Sequence, residues 1–300
     1  MRVIAPGKLL LTGAYVVMEG APAIVVAIDR YAVADTRAVD PRPSPEVRVA
    51  FREGGAPRVD VCELQAASGR KLGLGSSAAG LVAALGVRAL ASGADIRDAT
   101  VREEMLGTAR RAHATAQRGG SGVDVAASVY GGVLQYRLPR DAAAMVRRLD
   151  WPESLVFATY DSGESSRTSD LLTTVGRHRL LPHIVALYDR LADLAEHAVS
   201  AFEVGDLPRF IETARAYGDR LGELGRGTDA PIVPPRFDEL SRLAAAEGAA
   251  FIPSGAGGGD VAVWLSLADP SPEFSSRAST LSMRRLSLSI DRGGVRPASF

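Results

Sequence analysis

The sequence predicts an α+β protein of two domains. Strand-type segments rich in Val, Ile and Ala open the chain at about 2–5, 9–18 and 23–36. The period then turns helical, amphipathic stripes fill the second half, and strand-like runs return after residue 248. Strands and helices in separate runs, instead of strict alternation, are the pattern of an α+β fold. With 300 residues and 46% hydrophobic content, the chain can bury one large or two medium cores. We expect domains at 1–147 and 148–300, joined through "RDAAAMVRRLDWPE".

Each element has its own signal. Residues 41–70 are broken by Pro41, Pro43, Pro45, Gly54, Gly55 and Pro57 and read as loops around short strands at about 46–52 and 58–64. Helices follow from Ser76 to Ala91 and from about Ile96 to Gln117, the second ending at Gly119. "VAASVYGGVLQYRL" reads as a short helix stopped by Gly131 and Gly132, then a strand. After a strand at Leu155 to Tyr160, residues 179–203 place Leu180, Ile184, Leu187, Leu191, Leu194, Ala198 and Phe202 on one helical face. Asp206 can cap a further helix that buries Leu207, Phe210, Ile211, Ala214, Leu221 and Leu224. A helix at about 236–247, a strand at 249–252, the loop "PSGAGGG", the strand "DVAVWLSL", a helix near 271–284 and the strand "RLSLSI" complete the chain.

Composition excludes several classes of function. Acidic and basic residues balance at 35 each, so no global field draws the chain to nucleic acid or an anionic membrane. The N-terminal apolar stretch is too short for a signal peptide, and no run has the length of a membrane span. Cys62, the one cysteine, excludes an internal disulfide framework and fits a reducing compartment, where it would serve as a small apolar filler. A soluble, cytoplasmic protein is expected.

Of the 35 basic residues only Lys8 and Lys71 are lysines. A solvated position accepts Arg or Lys alike, so their survival points to sites that need a compact ammonium. Both lie in glycine-rich stretches. In "KLGLGSSAAGLVAAL", Gly73 and Gly75 bare the backbone where a helix begins, and the amides of Gly75, Ser76, Ser77 and Ala78 would face outward with the positive end of the helix dipole behind them. This is a phosphate seat to which Leu74 also belongs. One serine hydroxyl could cap the helix, and that of Ser77 could reach a phosphate-bound Mg²⁺. The stretch also fits G-x-G-x-x-A, but a dinucleotide fingerprint should follow an apolar strand, and "AASGRK" precedes it. "APGKLLLTGAYVV" is not a Walker A loop, because no Gly lies five residues before Gly7. "PSGAGGGDVAVW" sets four glycines in five residues between apolar strands, either as a wide turn or to wrap a ligand closely. In "AHATAQRGGSGVDV" a helix dissolves into glycines and then presents Asp124. His113 and Gln117 share one helical face there, which either lines a pocket or is solvated.

Three such loops in this order, with Lys8 and Asp124, resemble the GHMP kinase superfamily, and the likeness spans nearly the whole chain. "APGKLLLTGAY", "GLGSSAAG" and "PSGAGGGD" are similar to its first, second and third motifs. Gly13-Ala14-Tyr15 departs from the acid that many members carry there. "AHATAQRGGSGVDVAASVYGG" is similar to the pattern of the phosphomevalonate kinase branch, with His113 where mevalonate kinases tend to show a Glu.

The resemblance implies a two-lobed fold, with an N-terminal lobe like domain 2 of ribosomal protein S5 and a ferredoxin-like C-terminal lobe. It implies ATP and Mg²⁺ as cofactors and 5-phosphomevalonate as acceptor, giving 5-diphosphomevalonate. Mevalonate or another isoprenoid acid as acceptor, or a silent ligand sensor on the same fold, stay open. Lys8, Asp124 and Lys71 would be catalytic, and residues 73–78 would hold the nucleotide, with Ser77 toward the metal. Tyr15, His113, Gln117, Ser121, Gly122, Ser162, Arg167, Thr168, Ser254, Gly255, Ala256 and Gly257 would bind substrate.

Overall fold

A computed structural model describes residues 1–52, 55–140, 142–165 and 168–298. The chain divides into two compact units, the first comprising Met1–Leu9, Val25–Leu134 and Ser289–Phe300, the second Leu10–Ile24 and Gln135–Leu288.

The first unit is built on β1 (Arg2–Thr12) as far as Leu9, β2 (Pro22–Val39) from Val25, β3 (Pro57–Asp60), β4 (Val133–Arg137) as far as Leu134, and a two-residue strand at Arg296–Pro297. The last of these pairs antiparallel with β1, β1 lies beside β2, β2 beside β4, and β3 pairs antiparallel with β2. Its helices are α1 (Pro45–Phe51), α2 (Ser76–Ala91), α3 (Ala99–Gln117) and α4 (Val123–Tyr130). Residues Ala78 to Val87 of α2 are buried throughout, so this helix reads as apolar on all sides and not as an amphipathic stripe. Asp98 caps α3 by accepting from the amides of Thr100 and Val101, and Arg118, in left-handed conformation, ends it one residue before the expected Gly119.

Two expectations in this unit are corrected. Residues 46–52 are not a strand: Ser44 accepts from the Val47 amide, Pro45 presets the first turn, and the stretch is helix α1. Cys62 is not a core filler but exposed, at the start of a 3₁₀ turn whose Leu64 fills the core instead. A hydrogen bond with Asp60 pushes its thiol above the ordinary range.

The second unit holds β5 (Met145–Leu149), β6 (Val156–Asp161), α5 (Thr168–Gly176), α6 (Pro182–Glu203), α7 (Leu207–Thr228), α8 (Pro235–Ala246), β7 (Ala250–Pro253), β8 (Val261–Ser266), α9 (Pro272–Thr280) and β9 (Arg284–Leu286). Its sheet runs β7-β8-β6-β9 with antiparallel neighbours, in a register that pairs Thr159 with Val263 and Phe251 with Trp264. Phe237, Phe251, Trp264 and Phe274 form an aromatic core, the last two edge to face at 4.5 Å. Asp206 caps α7 as expected, and all six apolar residues assigned to that helix's inner face are buried.

Here too the structure departs from expectation. Leu180 belongs to no buried stripe: α6 starts at Pro182, and Leu180, upstream of it, is 91% exposed. Among the described residues, no helix is long and apolar enough to cross a membrane.

Candidate active site

In the first unit, β1, the loop before α2 and the start of α4 bring three predicted groups together. The Lys8 ammonium donates to the Gly73 carbonyl at 3.1 Å, and the Lys8 amide to the Leu74 carbonyl at 2.9 Å. Gly75 is the N-cap of α2, with φ 81°. A Cβ there would lie 3.1 Å from Lys8 Cγ and 3.8 Å from Asp124 Cβ, so Gly75 sits directly between the two. Asp124 is the second residue of α4 and is held by its own helix, Oδ1 accepting from the Val125 amide at 2.9 Å. Ser128, one turn on, donates to the Pro6 carbonyl at 2.8 Å and ties α4 to the strand that carries Lys8.

No side chain caps α2, which corrects the expectation that a serine would do so. Ser76 is buried, and the Ser77 hydroxyl accepts from the Lys71 ammonium at 3.3 Å. An uncapped helix start beside two lysines is a ready seat for phosphate oxygens. Among the described residues, no three His, Cys, Asp or Glu side chains are grouped to hold a metal.

The shared face of His113 and Gln117 is split: His113 is buried, whereas Gln117 is exposed. His113 is 4% exposed, and its Nε2 lies 3.1 Å from Gln117 Nε2 and 3.5 Å from Asp124 Oδ2. Behind them stands Glu46 of α1, 5% exposed, which accepts from Gln117 Nε2 at 3.0 Å. Burial pushes the Glu46 carboxyl up, but hydrogen bonds from Gln117, its own amide and Ser44, with His113 nearby, outweigh it and hold the group below the usual range. Glu46 escaped the sequence reading. Its signal was an acid just after Ser-Pro, where a capped helix can start. Ser121 accepts from the Val123 amide at 3.3 Å, and Gly122, with φ 76°, is the N-cap of α4. The Arg110 stem lies so close that a Cβ on Gly122 would meet its Cγ at 2.6 Å.

The remaining predicted contacts belong to the second unit. Tyr15, buried and at φ 67°, donates its phenol to the Ala256 carbonyl at 2.7 Å. Ser254 accepts from the Leu10 amide at 2.9 Å. Gly257 runs against the 230s segment, where a Cβ would meet the Ile232 carbonyl at 2.1 Å, and Gly255 also has positive φ, at 90°. The third glycine loop is therefore pinned from both ends. Ser162 is buried, its hydroxyl accepting from the Glu164 amide and its own amide donating to the Asp260 carbonyl. Thr168, exposed, begins α5, and Arg167 lies outside the described residues.

Comparison with known proteins bears on this geometry. Residues 49–132 match the family model described as the GHMP kinases N terminal domain. The chain is 30% identical over 347 aligned residues to the phosphomevalonate kinase of Streptomyces sp. (strain CL190), covering 90% of this chain and 91% of that one. It is 28% identical over 265 residues to the mevalonate kinase of Aeropyrum pernix, with 75% and 77% covered. The crystal structure of Streptococcus pneumoniae phosphomevalonate kinase in complex with phosphomevalonate and AMPPNP shares the fold, with a TM-score of 0.79 over 97% of this chain and 99% of that one, at 19% identity. By its likeness to the Streptomyces enzyme along nearly its full length, the chain belongs to the GHMP kinases.

Proposed function

We propose that this kinase transfers the γ-phosphoryl group of ATP to 5-phosphomevalonate. An oxygen of the acceptor phosphate bonds to the γ-phosphorus, the bond from that phosphorus to the β,γ-bridging oxygen breaks, and 5-diphosphomevalonate and ADP result. The placement of Gly75 between Lys8 and Asp124, at an uncapped helix start, carries the reading. The 30% identity to a phosphomevalonate kinase supports the choice of acceptor.

Residues 73–78 receive the nucleotide phosphates on backbone amides. Lys8 lies between acceptor and γ-phosphate as a point charge, and Lys71 neutralises further charge beside Ser77. Ser77 is the hydroxyl that would face Mg²⁺, and the bound ion supplies neutralisation of phosphate charge. His113, Gln117, Ser121 and Gly122 line the acceptor pocket. A phosphate monoester has its second pKa near 6, so the acceptor is largely a dianion at neutral pH and needs no general base. Asp124 then fixes geometry between like-charged phosphates instead of removing a proton.

A coupled ADP-release assay with ATP against mevalonate, 5-phosphomevalonate, homoserine and galactose tests the reading. Turnover is expected to favour 5-phosphomevalonate; preference for mevalonate would transfer the assignment to the alcohol.

A further inference from the structure

Glu46, Gln117 and His113 form a chain that ends beside Asp124, and its hydrogens can be assigned one by one. The Glu46 carboxylate only accepts, so Gln117 must present its amino end at the 3.0 Å contact; the flipped amide would set two acceptor oxygens face to face. The second hydrogen of that amino group faces His113 Nε2 at 3.1 Å. Two hydrogens cannot share this contact, so Nε2 accepts and the neutral ring carries its proton on Nδ1. Asp124 Oδ2, at 3.5 Å from Nε2, is too distant for a good hydrogen bond to compete. Among the described residues, buried His113 Nδ1 has no hydrogen-bond partner, and a Cβ on Gly120 would lie 3.9 Å from it. A buried ring N–H is thereby left unmet at the 119–122 loop.

We propose that Glu46, acting through Gln117, fixes His113 as the Nδ1–H tautomer, and that this N–H donates to an anionic oxygen of the acceptor at the 119–122 loop. Glu46 is then a positioning residue for acceptor binding, although it touches no substrate. The donor half rests on the acceptor pocket proposed above; the tautomer half does not.

Two-bond ¹H–¹⁵N correlation spectra separate the two imidazole tautomers, and His113→Gln identifies the His113 signals among the four histidines. At a pH where the ring is neutral, wild type is expected to show the Nδ1–H pattern. Glu46→Gln, whose carboxamide no longer dictates the Gln117 orientation, should mix or invert it. The same variant should raise KM for the acceptor about tenfold, the scale of one lost hydrogen bond to a charged group, and leave KM for ATP within about twofold. Gln117→Met, which removes the donor to Nε2, should repeat both effects. KM is measured with whichever acceptor of the panel wild type phosphorylates, so failure of 5-phosphomevalonate sinks the substrate reading alone. An Nε2–H His113 in wild type overturns the proposal regardless of how the variants fold. A folded Glu46→Gln whose tautomer or acceptor KM matches wild type overturns it as well.

Discussion

A methyl group placed on Gly75 would come within 3.1 Å of Lys8 Cγ, tighter than side chains normally pack. The backbone at Gly75 also has φ 81°, a region that costs an L-residue about 1–2 kcal/mol. Gly75→Ala should therefore push Lys8 from its place and destabilise the first unit. We expect a drop in kcat/KM of at least about tenfold and a stability loss of about 1 kcal/mol in urea unfolding. Wild-type kinetics in Gly75→Ala would show that the spacing between Lys8 and Asp124 is not critical.

Lys8→Arg keeps the charge but replaces a compact ammonium with a broad planar group at a site already closed by the Gly73 carbonyl and Gly75. Its activity should fall about as far as that of Lys8→Ala, by at least about tenfold, or about 1.4 kcal/mol of barrier. Steady-state kinetics of the two variants side by side decide the matter. Near-normal turnover in Lys8→Arg would mean that charge alone suffices.

Alkaline pH probes the second unit. Burial holds the phenols of Tyr15 and Tyr217 well above their ordinary range and pushes that of Tyr188 up to about 12. A phenol with a raised folded-state pKa contributes its stability fully below the unfolded value of about 10 and loses it as pH rises toward the folded one. Unfolding free energy should thus decline from about pH 10 upward. Tyr15→Phe should lower stability by about 1–3 kcal/mol at neutral pH, since it leaves the Ala256 carbonyl without its donor, and should flatten the alkaline decline. Denaturant titrations at several pH values measure both, and a decline equally steep in Tyr15→Phe would remove Tyr15 from the explanation.

Much of the architecture was legible because local chemistry and tertiary packing agree. The cap at Asp206 and the inner stripe of α7 are signals that neighbouring residues alone determine. Elsewhere one local signal competes with another. Val47, Val49 and Phe51 alternate like a strand, yet the Ser44-Pro45 cap starts a helix over them. Leu180 continues an apolar stripe, yet helix α6 begins only at Pro182. Glu46 was hidden for another reason. Its significance lies in contacts with Gln117 across 71 positions, which no local pattern encodes.

In the proposed reaction Lys8 and Asp124 position an acceptor that is already an anion. The pH dependence of kcat with 5-phosphomevalonate, in wild type and Asp124→Asn, tests it most directly. We expect kcat of wild type to rise as pH climbs through about 6, tracking the second ionisation of the acceptor. Asp124→Asn should keep that limb at the same pH and at reduced height. A limb that moves far upward in the variant, or faster turnover of unphosphorylated mevalonate, would make Asp124 a general base for an alcohol and contradict the account.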